Sequence, residues 1–173
     1  RYAHTRQVTK VTGDYISNSK EVFDGFIVHG AQNCRYCMLL LVPPSKDCID
    51  YTEYGDNAEQ VVDTSSAGVN ISKIFYSSWI FKNCVDIWYS TNCINSENLF
   101  GCVSVKKGEY MIFNKRYSKE EYTELKAKII EHMKSIGEYG EYFPPEIAPV
   151  YYNETRGQVY MPLSKEQILE KGW

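Results

Sequence analysis

The pentapeptide Lys46-Asp47-Cys48-Ile49-Asp50 returns 36 residues later as Lys82-Asn83-Cys84-Val85-Asp86. An Asn-Cys step occurs at 33–34, 83–84 and 92–93, and Cys84, Cys93 and Cys102 follow one another at nine-residue intervals. Asn18-Ser19-Lys20-Glu21-Val22-Phe23 is echoed by Asn95-Ser96-Glu97-Asn98-Leu99-Phe100. These are imperfect copies of one pattern, a polar turn of Asn, Ser, Lys or Asp followed by a short apolar strand. Units of that kind bury their apolar residues by stacking on their neighbours.

Strand segments follow the same rhythm at 26–29, 36–42, 48–54, 69–81 (interrupted), 84–89, 99–105 and 110–113. They are rich in Val, Ile, Tyr and Phe and are separated by Gly, Asn, Ser and Asp. Spacings of 9 to 14 residues are too short for βαβ crossovers. An antiparallel sandwich and a parallel β-helix-like solenoid remain, and the recurring Asn-Cys step favours the solenoid. Nine-residue steps suit successive faces of a coil of about 18 residues, with each thiol stacked on its equivalent in the next coil.

The sequence divides into a β-repeat domain over 1–117 (solenoid from about residue 10), a flanking helix over 118–137 and an aromatic, proline-rich arm over 138–173. Ser118 with Glu121 forms a capping box. Behind it Tyr122, Leu125, Ile129, Met133 and Ile136 recur at helical spacing, and Gly137 can end the helix. Such a helix would cap or flank the solenoid. The Pro-Pro and Ala-Pro steps at 144–145 and 148–149 exclude helix from the arm, which is expected to pack back through its aromatics. Ser164 with Gln167 signals a short terminal helix.

Hydrophobic residues make up 43% of 173, enough for a core. The net charge of −3 lacks the basic footprint of bulk nucleic-acid binding, so nucleic acid is an unfavoured partner for this domain. The longest apolar run, 37–44 (CMLLLVPP), is strand length and far short of a membrane span. The chain opens on Arg1 and ends on Trp173, which reads as a piece of something longer.

Six cysteines invite a metal or disulfide reading. Only Cys34 and Cys37 have knuckle spacing; Cys48 or a histidine would have to complete a set, so Cys34, Cys37 and Cys48 are weak metal candidates and no cofactor is expected. A chain with ample core has no need of a disulfide framework. Asn70-Ile71-Ser72 and Asn153-Glu154-Thr155 match the glycosylation pattern, which is common by chance. The expectation is of six reduced, mostly buried thiols acting as small apolar residues.

The runs Leu99-Phe100-Gly101-Cys102-Val103, 110–122 (YMIFNKRYSKEEY), 139–146 (YGEYFPPE), 152–155 (YNET) and 162–166 (PLSKE) together resemble an uncharacterised family of zinc-ribbon-containing proteins of candidate-phyla bacteria. The resemblance covers roughly 15–173 and is most specific over 99–166. It implies a cysteine-rich repeat region and a bacterial cytoplasm, and it carries no known activity. The ribbon CxxC pairs of that family are absent here. Val22, Val61 and Ile74 stand where a Cys could.

No P-loop, G-x-S-x-G, H-E-x-x-H or dinucleotide fingerprint is present. A Cys nucleophile would need a positioned histidine, and His29 and His132 cannot be placed from sequence. Asn114-Lys115-Arg116 is a weak anion-binding candidate ahead of a helix N-terminus. The favoured function is a non-enzymatic binding or scaffolding module working by protein–protein contact or self-association. The alternative is a carbohydrate-processing or carbohydrate-binding β-helix, with Asp50, Glu53, Asp86 and Tyr89 as its candidate residues and Asp50 and Asp86 at equivalent repeat positions.

Overall fold

The computed structural model describes residues 3–144, 147, 148, 150–155, 157–160 and 162–173. By internal packing the chain divides into two units, Arg1–Gly140 and Glu141–Trp173. Strands make up 52% of the described residues, and the first unit winds as a β-solenoid of about seven turns.

A three-residue rule generates the winding. Fully buried side chains recur three apart, as in Ile71, Ile74, Ser77 and Ile80, or Cys84, Ile87, Ser90 and Cys93. The residue before each takes left-handed backbone, with φ +57° at Asn70, +56° at Lys73, +51° at Tyr76 and +55° at Trp79. In a plain strand alternate residues face inward. One left-handed residue in three turns the chain, so each face holds one inward, one outward and one corner position. The left-handed corner costs a non-glycine residue about 1–2 kcal/mol. Asn and Asp tolerate it best, and Asn33, Asn70, Asn83, Asn92, Asp50 and Asp86 all stand at corners. The Asn-Cys steps of the sequence are corners followed by an inward thiol.

Four faces close a coil. Parallel ladder partners lie 12 residues apart at Lys20 and Gln32, 14 at Ala31 and Ser45, and 13 at Ser45 and Ala58. The coil is therefore shorter than the roughly 18 residues suggested by the cysteine spacing. Nine residues are three faces, so Cys84, Cys93 and Cys102 stand in three different inward columns and form no thiol ladder. The thiols that do stack are Cys34 and Cys48, beside the Arg35–Ile49 ladder pair. Their column also holds Val22, Val61 and Ile74. All ladders between coils are parallel, which rules out the sandwich. Winding starts earlier than residue 10, since Ile16 N–H donates to the His4 carbonyl at 3.1 Å.

Inward hydroxyls and thiols share one hydrogen-bond pattern. Most donate to the carbonyl two residues back, at 2.8 Å from Ser77 to Phe75, 2.8 Å from Ser90 to Trp88, 3.2 Å from Cys48 to Lys46 and 3.4 Å from Cys93 to Thr91, whereas the inward Ser45 Oγ has no partner. Amides of the following coil donate to the same oxygens, Ser90 N–H to Ser77 Oγ at 3.1 Å and Cys102 N–H to Ser90 Oγ at 2.9 Å. Small polar residues are buried here without leaving backbone groups unpaired.

Outside, the coil spacing stacks side chains. An asparagine ladder climbs one corner, Asn57 donating to Asn70 at 2.8 Å, Asn70 to Asn83 at 3.2 Å and Asn83 to Asn95 at 3.2 Å. One outward column runs in register from Phe23 through Arg35, Ile49 and Val62 to Phe75, Trp88, Phe100 and Ile112. Helix α1 (Lys119–Ile136) lies on the last three of these, burying Phe100, Ile112 and Tyr122 with Leu125, Ile129 and Met133 packed against them. It starts and stops as the sequence predicts, on the Ser118–Glu121 capping box and on left-handed Gly137 (φ +79°). It flanks the solenoid's side.

The second unit holds a 3-10 turn at Tyr152–Glu154 and short helices α2 (Gly157–Tyr160) and α3 (Lys165–Glu170). Helix α3 carries the predicted cap of Ser164 with Gln167. Of the helix-excluding proline steps, Pro145 and Pro149 lie outside the described residues.

Candidate functional surface

The structure brings the three metal-candidate cysteines together. Cys34 and Cys48 neighbour each other across coils, and Cys37 is the next inward residue after Cys34; all three are buried. Hydrogen bonds from the Cys37 and Cys48 thiols hold Cys34 well below the usual thiol range. The shared bond to Cys34, together with burial, pushes Cys37 and Cys48 up. Each sulfur also keeps a carbonyl partner, at 3.3 Å (Gln32), 3.2 Å (Arg35) and 3.2 Å (Lys46), as the inward serines do. Among the described residues no group of three or more His, Cys, Asp and Glu is arranged to hold a metal ion. Burial raises the more isolated Cys84 and Cys102, and burial with the neighbouring Cys102 and Cys84 pushes Cys93 up to about 11. All six cysteines are free thiols. His29 bonds Ser17 Oγ at 2.9 Å, and His132 is exposed on α1.

The four carboxylate and tyrosine candidates are spread over three corner columns. Asp50 and Tyr89 share a corner column with Asp63 and Tyr76 between them, three coil steps and roughly 14 Å apart at ordinary strand spacing. Asp86 belongs to another column, with Lys73, Gln60 and Asp47. Asp50 and Asp86 are therefore not equivalent, because the 36-residue echo slips by one face. Glu53 accepts a hydrogen bond from Ser66 Oγ at 2.7 Å. Asp86 and Tyr89 secure the segment after the solenoid: Asp86 binds Lys126 Nζ at 2.9 Å and Trp88 Nε1 at 2.7 Å, and the Tyr89 hydroxyl accepts from Gly140 N–H at 2.9 Å.

The anion candidates are also engaged. Asn114 serves as the edge partner of Val103, accepting from its N–H at 2.8 Å and donating to its carbonyl at 2.9 Å. Lys115 lies over the Tyr117 ring at 5.2 Å, and Arg116 reaches Glu109 at 3.5 Å. Ser118 and Glu121 occupy the adjoining helix terminus.

The surface that stands out was hidden in the apolar run at 37–44. Under a three-residue rule, an unbroken apolar run puts two residues in three outside. Cys37 and Leu40 go in, whereas Tyr36 (56% exposed), Met38 (40%) and Leu41 (56%) stay out. Met38 stacks in register on Phe26, itself edge-on to Tyr15 at 6.0 Å. Read as an ordinary strand, the run gives no such signal; the period of three would have revealed it. Among the described tyrosines, Tyr51 is fully buried in the coil interior and Tyr122 beneath the helix, while Tyr15, Tyr36 and Tyr54 are exposed and Tyr76 and Tyr89 stack at 4.9 Å along a corner.

Within the described residues no helix is long and apolar enough to cross a membrane. No protein-family model matches the chain, and no curated protein or solved structure matches it.

Proposed function

We propose that the chain is a non-catalytic binding or scaffolding module that works by protein–protein contact, with self-association as its first mode. The exposed apolar side chains of Tyr15, Phe26 and Met38, in contact or in ladder register with one another, with exposed Tyr36 and Leu41 nearby in the chain, carry this reading, because exposed apolar clusters mark contact surfaces. They sit on a hydrogen-bonded winding that cannot deform to hide them, which suits recognition by a preformed surface. Asp50 and Asp86 stand in different corner columns, and Asp86 is held by Lys126 and Trp88, which favours the binding reading over the carbohydrate-processing alternative. Six free thiols suit a reducing compartment such as the bacterial cytoplasm.

Sedimentation velocity across a hundredfold concentration range tests the proposal. The wild type is expected to associate with rising concentration, and a Met38→Ser/Leu41→Ser variant to stay monomeric with unchanged far-UV circular dichroism. Identical monomeric behaviour of both would overturn it.

A further inference from the structure

The chain carries six cysteines and four methionines, and Met161 is the one of these that lies outside the described residues. The six cysteines face inward and are 1% exposed or less. Met111 packs against the solenoid core, and Met133 packs on the cluster of Phe100, Ile112 and Tyr122. Among the described sulfur-bearing residues, Met38 alone stands out in water, at 40% exposure.

The three-residue rule places it there. Cys37 and Leu40 take the inward positions of their run, and Met38 takes the outward position after Cys37. Its ladder neighbours are Phe26 in the coil before and Thr52 in the coil after. Phe26 in turn meets Tyr15 edge-on at 6.0 Å. The thioether is therefore part of the apolar cluster assigned to self-association. A thioether has a free lone pair on sulfur and meets a peroxide as it stands, whereas a thiol must first lose its proton. Burial holds Cys84, Cys93 and Cys102 above the ordinary thiol value, and Cys34, which its neighbours hold low, is fully enclosed.

We infer that Met38 is a modification site, at which a peroxide adds one oxygen and thereby weakens self-association. The sulfur lone pair attacks the O–O bond of hydrogen peroxide. One oxygen passes to sulfur as the sulfoxide and the other leaves as water, so sulfur loses two electrons and the peroxide gains them. The product presents a strong acceptor where the thioether was apolar. Phe26 and Leu41 offer that acceptor no donor in a closed contact, so it is satisfied by water only in the separated chains. Methionine sulfoxide reductases reverse the step. This rests on the reading of the chain as self-associating through these side chains, and it names the regulation of that contact.

The test treats the full chain with dilute hydrogen peroxide, beside a Met111→Leu/Met133→Leu/Met161→Leu variant in which Met38 is the single methionine left. Those leucines keep apolar volume. Peptide mass spectrometry is expected to find oxygen on Met38 before Met111 and Met133, and thiol titration after denaturation still to count six. Sedimentation velocity is expected to show association weakened at least tenfold in both proteins and restored by methionine sulfoxide reductases. Oxygen taken up first by Met111, Met133 or a thiol overturns the inference. So does a Met38 sulfoxide that associates as before. Untreated protein that stays monomeric at every concentration overturns the association reading and the inference with it, so the sample without peroxide tells the two failures apart.

Discussion

Lys126 on helix α1 and Asp86 on the solenoid are 40 residues apart in the chain and 2.9 Å apart in space. Their side chains are only 15% and 25% exposed, and Trp88 Nε1 takes the other carboxylate oxygen. Removing one member of a largely covered pair leaves the other charge without a partner. Asp86→Ala is expected to cost about 2 kcal/mol, discounted for partial exposure. Lys126→Met keeps the apolar stem over the ring and should cost less. Urea midpoints, with amide exchange across 119–136, measure both. Equal, small losses would show that the pair does not hold the helix.

Asn70 combines two roles, a rung of the asparagine ladder and a left-handed corner at φ +57°. Asn70→Ala loses the rung and meets the corner penalty, together roughly 2 kcal/mol. Asn70→Gly loses the rung but relaxes the corner, so it should be more stable than the alanine variant by about 1 kcal/mol. Glycine proving the worse substitution in thermal unfolding would refute this account of the corners.

Burial pushes the Cys93 thiol from the ordinary 9.0 up to about 11. A raised folded-state value means that stability is intact below pH 9. It declines as the pH rises from 9 toward 11, because the unfolded chain releases its proton first. Cys93→Ser keeps a donor for the Thr91 carbonyl and has no thiol to ionise. Unfolding midpoints under reductant between pH 8 and 10.5 should fall more steeply for wild type than for Cys93→Ser. Parallel curves would show that this thiol is not titrating.

The Tyr122 hydroxyl is buried between helix and solenoid without a hydrogen-bond partner. Tyr122→Phe should therefore stabilise the protein by about 1 kcal/mol, since it removes an unsatisfied polar atom and keeps the ring. A destabilised variant in urea titration would mean that the hydroxyl has a partner in solution.

The helix boundaries were legible because caps are local: Ser118, Glu121 and Gly137 act within a turn of their own positions. The solenoid was legible from recurrence, and the Asn-Cys steps mark true corners. Coil length was misread because the unit that repeats is three residues long. Any multiple of three then yields a local match, and the echoes at nine and 36 residues align corner with corner while missing the column. The Asp50–Asp86 equivalence failed for that reason. Only the ladder register, set by how many residues each coil takes, assigns a residue to its column. The exposed Met38 and Leu41 went unseen for a related reason, since a period of two makes residues 37–44 look buried on both faces.

The surplus residues of the longer coils gather mainly at one corner, between Leu40 and Ser45, Ala67 and Ile71, and Ile80 and Cys84, where the buried side chains are five, four and four residues apart instead of three; the Ser45–Ala58 coil takes its extra residue one corner earlier, between Tyr51 and Gly55. The chain thus stands toward insertions as a message stands toward its reading frame. One residue added on a face would turn inside out everything up to the next corner able to absorb it. Three added there would keep inside and outside but slide every later column by a face, and twelve would add a coil and leave the rest in place. Length variation among chains of this kind is therefore expected at corners, in single residues and chiefly at that one, or anywhere along the winding in whole coils.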